Sequence, residues 1–295
     1  MRLRSPIIWY GGKGKMVAKL LPLVPRHRVY VEPFGGGASL LFAKSVADVE
    51  VYNDLDEGLV NFFRVLRNEG QARRLKWLLD RTPYARGEWQ ECRRLLDSEA
   101  DVVRKVWRWL VVCRMSFSGR FGSGWSCGRG NEGVDRWRRC GRMLLECAAR
   151  FEHVQVECQG WRDVVRRHDS AETFFYMDPP YVQSTRSGTR YAVDFDEKEH
   201  EELVRWLLGL RGKVMLSGYL SDVYRPLEEA GWVRNMWGTV CHTSHSTDGK
   251  FSGAGAKLRG ARRVEVVWRN YRLIRDEKTL AVDRLAWETG RREPQ

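Results

Sequence analysis

The chain has 295 residues and a mass of 34.4 kDa, enough for one large α/β domain or two smaller ones with a sizeable core. Lys and Arg number 51 against 38 Asp and Glu, so the net charge is +13, which favours a polyanionic partner, either nucleic acid or an acidic membrane surface. A hydrophobic fraction of 43% excludes a disordered chain, and the lack of an apolar run of about 18 residues excludes a membrane span.

The N-terminal part of the chain predicts alternating strands and helices around a glycine-rich turn. The second strand ends in Asn53 and Asp54, two polar residues that follow a short β-rich run. In chain order, the predicted elements are a strand at 28–32, the glycine turn at 33–39, a helix at 40–43, a strand at 49–52 and a helix at 56–66.

Residues 61–150 have mostly helical patterns and carry most of the excess positive charge. This segment holds 20 Lys or Arg and 10 Asp or Glu, and within it residues 102–142 hold 10 basic residues against only Glu132 and Asp135. A solvated helix face is the ordinary explanation of a charge run, but such faces usually mix both signs, so contact with nucleic acid is favoured. Helical spacing is clearest at 75–79, 89–96, 102–112 and 143–149.

A loop near residues 115–130 is rich in Gly and Ser, with aromatic residues and arginines interleaved. An ordinary exposed loop is the structural alternative, but a loop of this length inside a compact domain usually has a function. Its composition predicts a hairpin that contacts nucleic acid, where each arginine meets a phosphate more often than a base edge. The predicted contact residues are Arg114, Phe117, Arg120 and Arg129.

Strand patterns return after residue 150. They predict a doubly wound, Rossmann-like α/β domain formed by residues 1–60 and 151–288, interrupted by a helical recognition domain at 61–150 and followed by a polar tail at 289–295. The later elements are strands at 154–156, 173–177, 213–217, 233–241 and 263–268, with helices at 197–210 and 222–230.

The glycine turn and Asp54 predict a ligand that contains adenosine. A glycine backbone lets a ligand approach a helix N-terminus, and a carboxylate at the end of the second strand can accept hydrogen bonds from ribose hydroxyls. Nicotinamide dinucleotide and S-adenosylmethionine sites share these features. Because the G-x-G-x-x-G fingerprint is absent, a nicotinamide-dependent dehydrogenase is the less favoured alternative.

Asp178-Pro179-Pro180-Tyr181 directly follows the predicted strand at 173–177 and would lie in the ligand crevice of an open α/β sheet. The exocyclic amine of adenine is a poor nucleophile because its lone pair is delocalised into the ring. A carboxylate and a proline carbonyl that accept its two N–H groups would draw the lone pair toward a methyl donor. The tyrosine ring would face an extruded base. A strand-ending Asp-Pro turn is the structural alternative, and the full tetrapeptide is more specific than such a turn.

Five segments together carry a family resemblance: W-Y-G-G-K at 9–13, V-E-P-F-G-G-G-A at 31–38, Y-N-D-L-D at 52–56, W-R-D at 161–163 and D-P-P-Y at 178–181. They resemble the Dam-type (D12 class, α-group) DNA adenine-N6 methyltransferases over most of the chain, and the recognition region aligns least well. One departure is Ala38, which stands where that family has glycine. We expect its methyl group to crowd the methionine end of the cofactor slightly.

The resemblance implies an S-adenosylmethionine-dependent enzyme that methylates N6 of a flipped-out adenine in duplex DNA, without a metal. Asp54 would bind the ribose hydroxyls and Asp163 the adenine amino group of the cofactor. Asp178 and the Pro179 carbonyl would hold the target N6, and Tyr181 would stack on the base. The implied catalytic residues are Asp178, Pro179, Pro180 and Tyr181. The implied cofactor-binding residues are Trp9, Lys13, Glu32, Pro33, Phe34, Gly35, Gly36, Gly37, Asp54, Asp163 and Asp178.

Three side chains near this site also have structural explanations. A core position explains Trp9 about as well as a place beside the cofactor. For Phe195 a core position is favoured over a place against the base. For Lys13 a functional role beside the cofactor is favoured over a core position, because the surrounding glycines are expected to leave it uncovered.

Two further alternatives stay open at this point. One is an RNA adenine or cytosine-N4 methyltransferase, and the other is a non-catalytic DNA-binding protein on a decayed methylase scaffold. The seven cysteines contain no C-x-x-C pair, which favours reduced thiols in a cytoplasmic protein over a structural zinc site. No obligate protein partner is expected.

Overall fold

A computed structural model of the protein describes residues 3–9, 11–117, 121–127, 131–182, 195–240 and 262–273. Within these ranges the strands form a single seven-stranded sheet of order β3-β2-β1-β4-β5-β7-β6. The first five strands are mutually parallel, and β7 runs antiparallel between β5 and β6. The strands are β1 Val29–Glu32, β2 Val49–Asn53, β3 Val154–Glu157, β4 Thr173–Met177, β5 Lys213–Tyr219, β6 Val233–Val240 and β7 Arg262–Arg269.

Helices connect the parallel strands, and several begin at a side-chain cap. Asp56, Asn68, Asp101 and Asp196 each accept a hydrogen bond from the backbone N–H three residues later, which satisfies a donor that the helix leaves unpaired. The helices are α1 Val17–Leu20, α2 Ser39–Ala43, α3 Glu57–Arg67, α4 Glu69–Arg81, α5 Arg86–Leu95, α6 Val102–Met115, α7 Glu132–Phe151, α8 Trp161–His168, α9 Glu197–Leu208 and α10 Arg225–Glu229.

The strand order creates a crevice between β1 and β4. From β1 the chain proceeds to β2 and β3 on one side, whereas β4 leads to β5 on the other side. The helices that follow β1 and β4 therefore diverge, and ligands of open α/β sheets bind at this switch point. The register places Val31 of β1 beside Phe175 of β4, so the residues after both strands face the same crevice.

The basic helical segment shares its apolar core with one face of the sheet. Phe63 of α3 stacks on Phe151 of α7, with ring centroids 4.5 Å apart, and both rings contact Tyr52 of β2. The same buried cluster continues into α4, α5 and α6. The predicted domain boundary at 60/61 lies inside α3. A second core on the other face of the sheet involves α8, α9 and α10.

Glu99, an acidic residue just outside the basic run, neutralises part of its charge, so residues 102–142 are less unbalanced than their own composition indicates. Glu99 pairs with Arg108, with Nε and Oε2 3.0 Å apart, and lies 3.6 Å from Arg104. Asp101 caps α6 and pairs with Arg74 of α4, an arginine outside this run, at 2.8 Å. The unneutralised charge is therefore smaller than the count over residues 102–142 indicates.

No helix within the described ranges is both long and apolar enough to cross a membrane. The apolar residues of the long helices lie instead on buried faces. In α7, for example, Trp137, Cys140 and Leu144 are buried, while Arg138, Arg139 and Arg142 are exposed.

Two helical glycines provide a test of the packing between α3 and α6. A Cβ atom at Gly58, the second residue of α3, would lie 2.1 Å from Nε1 of Trp109. Gly58→Ala should therefore lower the free energy of unfolding by about 1–3 kcal/mol. Gly87 occupies the same position in α5, and a Cβ atom there meets nothing within 4 Å. Gly87→Ala should stabilise the protein by up to about 1 kcal/mol.

Urea unfolding of both variants beside the parent chain measures these changes. A Gly58→Ala variant as stable as the parent would contradict the tight contact between α3 and α6.

Candidate active site

A cavity opens at the carboxyl edge of the sheet, in the crevice between β1 and β4. It brings together thirteen of the predicted site residues from four separate segments of the chain. Trp161, Arg162 and Phe195 also line it, and Asp163 does not. The predicted residues in its wall are Trp9, Lys13, Glu32, Pro33, Phe34, Gly35, Gly36, Gly37, Asp54, Asp178, Pro179, Pro180 and Tyr181.

The Asn53 side chain ties the glycine turn to the loop after β3. Its Nδ2 donates to the backbone oxygens of Pro33 and Gln159 at 2.8 and 3.0 Å, and its Oδ1 accepts from Gln159 N at 2.8 Å. Its own backbone oxygen accepts from Gly35 N at 2.8 Å. Sequence reasoning assigned no role to Asn53, although its place at the end of β2 was a usable signal.

Close approach of the glycine turn to β2 explains two of its glycines. A Cβ atom at Gly35 would lie 2.2 Å from the Tyr52 ring, and Gly36 has a φ of +47°, which favours glycine. The Tyr52 hydroxyl donates to Gly36 O at 2.8 Å. Only glycines therefore allow the backbone to form this part of the wall.

The expectation for Ala38 is wrong in its mechanism. Ala38 is fully buried at the N-cap of α2 and does not line the cavity, so its methyl group does not crowd a ligand there. Its φ of +53° is left-handed instead, a conformation that costs a non-glycine residue about 1–2 kcal/mol. The substitution therefore strains the backbone.

Asp54 faces the cavity in a fixed orientation. Its Oδ2 accepts from Gly36 N at 2.7 Å and its Oδ1 accepts from Asp56 N at 2.9 Å. Desolvation raises its pKa to about 6 although these backbone donors act in the opposite direction. Because a carboxylate oxygen can accept two hydrogen bonds, each oxygen retains capacity for a ligand hydroxyl.

Glu32, the last residue of β1, holds the start of α2 after the glycine turn. Its Oε1 accepts from the Tyr30 hydroxyl at 2.5 Å and from Leu41 N in α2 at 3.0 Å. Complete burial raises the pKa of Glu32 to about 8, although these two donors and Lys44 favour the charged form. The residue therefore fixes α2 on β1 in addition to lining the cavity.

Asp178 and Lys13 form an ion pair in the wall of the cavity. The Lys13 Nζ donates to both carboxylate oxygens, at 2.7 and 2.9 Å, and to Gly11 O at 3.2 Å. Burial raises the pKa of Asp178 to about 6, and Lys13 counteracts this increase. Lys13 is only 6% exposed, so the expectation that its glycines leave it uncovered is wrong.

Tyr181 is buried beside this pair. The Lys13 Nζ lies 4.5 Å from its ring centroid, and the Tyr219 ring packs against it at 4.4 Å. Its hydroxyl donates to Glu265 of β7, a residue that sequence reasoning missed. Tyr181 therefore presents only part of its ring to the cavity.

Aromatic side chains form the remaining walls. Phe34 packs edge-on against Phe195 at 5.5 Å and lies 6.2 Å from Trp161. Phe195 is buried, as expected for a core residue, and it also lines the cavity. Trp9 likewise has both a structural and a cavity-lining position. It lines the cavity, and its ring packs against the Trp109 ring with centroids 5.9 Å apart.

Asp163 lies outside this arrangement. Its side chain is 55% exposed and pairs with Arg166 one turn further along α8, at 3.1 Å. Its neighbour Arg162 lines the cavity and is held by Glu202 through two 2.6 Å hydrogen bonds. The structure thus brings Trp161 and Arg162 to the position expected for Asp163.

The two ends of the Gly/Ser-rich loop pair with each other and form the base of a hairpin. Ser116 forms a bridge with Trp125, Phe117 N donates to Gly124 O at 2.8 Å, and Ser126 N donates to Met115 O at 2.7 Å. Phe117 is 51% exposed. Arg114 is half-buried and donates to the backbone oxygen of Arg136 at 2.5 Å, so part of its guanidinium supports α7.

The other two predicted contact arginines, Arg120 and Arg129, lie outside the described residues, as does the polar tail at 289–295. Two exposed arginines of α5 flank the hairpin instead. Arg86 lies over the Trp125 ring at 4.9 Å, and Arg93 lies over the Trp89 ring at 5.3 Å. Among the described residues, no three His, Cys, Asp or Glu side chains are grouped closely enough to hold a metal ion.

The reversed β7 beside β5, the glycine turn after β1 and the polar tetrapeptide after β4 define a Rossmann-like methyltransferase fold. Residues 9–119 and 139–230 match the D12 class N6 adenine-specific DNA methyltransferase family, which is more than half of the chain. The chain belongs to this family. It is therefore an enzyme that methylates adenine in DNA, which disfavours the dehydrogenase, RNA, cytosine-N4 and non-catalytic alternatives.

Two curated relatives are similar over long stretches. The type II methyltransferase M.MjaIII of Methanocaldococcus jannaschii is 24% identical over 264 residues, which cover 78% of this chain and 89% of that protein. The DNA adenine methylase of Vibrio cholerae serotype O1 is 24% identical over 198 residues, covering 64% of this chain and 70% of that protein.

The raised pKa of Glu32 predicts how stability depends on pH. Because the folded state holds this proton up to about pH 8 and the unfolded state releases it near pH 4.5, the free energy of unfolding should fall as pH rises between these values. The fall is at most about 1.4 kcal/mol per pH unit. Glu32→Gln should remove this fall, since its carbonyl can accept both hydrogen bonds.

Glu50→Gln is the matched control, because the Glu50 contribution to the free energy of unfolding changes with pH in the opposite direction. Burial alone would raise the pKa of Glu50, but ion pairs with Arg150 and Lys44 hold it below its ordinary value. Its stabilisation is therefore lost as pH falls. Urea unfolding from about pH 3 to 8 measures both variants, because the Glu50 stabilisation is lost only below about pH 4.5. Parallel curves for Glu32→Gln and the parent would contradict the role of Glu32.

Proposed function

We propose that this enzyme transfers a methyl group from S-adenosylmethionine to N6 of an adenine that has turned out of duplex DNA into the cavity. The observation that carries the proposal is the position of Asp178, Pro179 and Tyr181. They follow β4 directly and line the same cavity as the glycine turn after β1. One opening therefore combines hydrogen-bond acceptors for an amine with a backbone cradle for a cofactor.

The residues present fit S-adenosylmethionine. Gly35 and Gly36 leave backbone space that a side chain could not share, and the two Asp54 oxygens retain lone pairs suited to ribose hydroxyls. The aromatic rings of Phe34 and Trp161 offer apolar walls for an adenine ring. When bound, S-adenosylmethionine supplies a methyl group on a positively charged sulfur, which is a strong methyl donor.

The protein's own contribution is to make a weak amine nucleophilic and to align it. The Asp178 carboxylate and the Pro179 carbonyl accept hydrogen bonds from the two N–H groups of the target adenine, which localises the lone pair on nitrogen. Lys13 keeps Asp178 ionised and fixes its orientation through both oxygens. The proton that nitrogen loses can pass to Asp178 and then to solvent. Proximity and alignment then supply much of the rate enhancement.

The hairpin and α5 are suited to hold the duplex beside this cavity. Phe117 offers an exposed ring that can stack on bases or insert between them. On α5, Arg86 and Arg93 provide positive charges that can contact DNA phosphates. Extruding the adenine costs a few kcal/mol, which these contacts must offset. The positive charge of the chain further favours a duplex partner.

Asp178→Ala should lower the methylation rate by roughly 100- to 1,000-fold or more, because the acceptor of the N6–H bond is lost. Transfer of tritium from labelled S-adenosylmethionine to duplex DNA measures the rate, and DNA binding should change little. Asp222→Ala, at an exposed carboxylate in the turn before α10, is the control and should keep the parent rate. Retained turnover in Asp178→Ala would refute the assigned role.

Phe117→Ala should raise the KM for duplex DNA about 5-fold or more, since losing one base–aromatic stack costs about 1–3 kcal/mol. The affinity for S-adenosylmethionine should stay unchanged. Leu208→Ala, which removes an exposed apolar side chain at the end of α9, is the matched control. Equal KM values for DNA in Phe117→Ala and Leu208→Ala would show that the hairpin ring does not contact the duplex.

A further inference from the structure

Glu265 is a buried carboxylate in the middle of β7 that belongs to none of the motifs described above. Its backbone pairs with Tyr219 of β5 on one side and with Trp237 of β6 on the other. Its side chain is only 8% exposed. Glutamates are rarely buried to this extent unless their charge has partners, so the contacts of Glu265 indicate what it does.

Those contacts lead directly to the candidate active site. The Tyr181 hydroxyl donates a hydrogen bond to Glu265 Oε1, and the same oxygen lies 3.6 Å from the Lys13 Nζ. Lys13 in turn donates to both oxygens of Asp178. The Lys13 ammonium therefore lies between two carboxylates, one from the loop after β4 and one from β7.

The presence of Glu265 changes the net charge of the group that surrounds the acceptor oxygens of Asp178. With Lys13 and Asp178 alone the pair would be neutral, and the ammonium would draw electron density away from the acceptor oxygens. With both carboxylates ionised, the group of three carries one net negative charge, and the field of Lys13 is shared. The hydrogen bond from the Tyr181 hydroxyl to Glu265 at the same time holds the end of the Tyr181 ring in place in the cavity wall.

We propose that Glu265 is a positioning residue for adenine methylation, which shares Lys13 with Asp178 and holds the Tyr181 ring in place. The proposal rests on the proposed function of the Asp178 site. Glu265 acts through Lys13 and Tyr181, and it is outside the set of residues that the site motifs predict.

Glu265→Gln tests the charge, because its amide oxygen can still accept from the Tyr181 hydroxyl. We expect kcat to fall about 10-fold with little change in the KM for S-adenosylmethionine. We also expect the acid limb of the kcat profile to move to lower pH, because removing a neighbouring negative charge makes Asp178 easier to ionise. Glu265→Asp, which restores the charge, should recover part of kcat and return the limb toward its original pH.

Glu228→Gln is the matched control, since Glu228 also accepts from an aromatic side chain, Trp268 of β7, but lies away from the cavity. It should keep the parent kcat and pH profile. An unchanged kcat and acid limb in Glu265→Gln would overturn the proposal. A reduced kcat with an unmoved acid limb would also overturn it, because a loss of structure alone has that signature.

Tyr181→Phe tests the other half of the network and covers the case in which Glu265→Gln does not fold. It keeps the ring but removes the donor to Glu265, so kcat should again fall, and a parent-like kcat would contradict the proposal. The parent chain separates this inference from the function on which it rests. If the parent transfers no methyl group to DNA, the proposed function fails, whereas a parent-like Glu265→Gln variant of an active parent refutes the role of Glu265 alone.

Discussion

The buried ion pair between Lys13 and Asp178 is the constraint on which the site depends. Its two members are 165 residues apart and come from the N-terminal turn and from the loop after β4. Burying charges is costly, and removing Lys13 would leave the buried carboxylates of Asp178 and Glu265 without their cation. The pair therefore ties the N-terminal segment across the carboxyl edge of the sheet, and the cavity lies between this closure and Asp54.

Local patterns predicted the strands and the position of the polar tetrapeptide after β4 because their signals lie within a few residues. The fully buried β4 appears as a continuous apolar run, and the polar residues after it necessarily reach the crevice of a parallel sheet. Helical spacing could also have predicted that Asp163 lies outside the cavity. Trp161, Val164 and Val165 form the buried face of α8, so helical spacing places Asp163 on the opposite face.

The features that sequence reasoning missed depend on partners distant in the chain. Glu265 lies 84 residues from Tyr181, and nothing in its neighbourhood of valines and arginines distinguishes it from a surface acid. Lys13 has glycine neighbours, yet residues from the loop after β4 and from β7 cover it. The left-handed conformation of Ala38 likewise arises from the turn as a whole, and an alanine residue carries no local signal for it.

The common core of the sheet and the basic helices limits how such an enzyme can change its target sequence. Since α3 and α7 pack directly on β2, the helical segment is not an exchangeable cassette, and replacing it would unpack the catalytic half. The hairpin between α6 and α7 is different, because paired backbones close its base and Phe117, which belongs to that paired base, has an exposed side chain. Under the proposed function, substitutions in this short loop can therefore change its contacts with DNA without disturbing the core that holds the cavity.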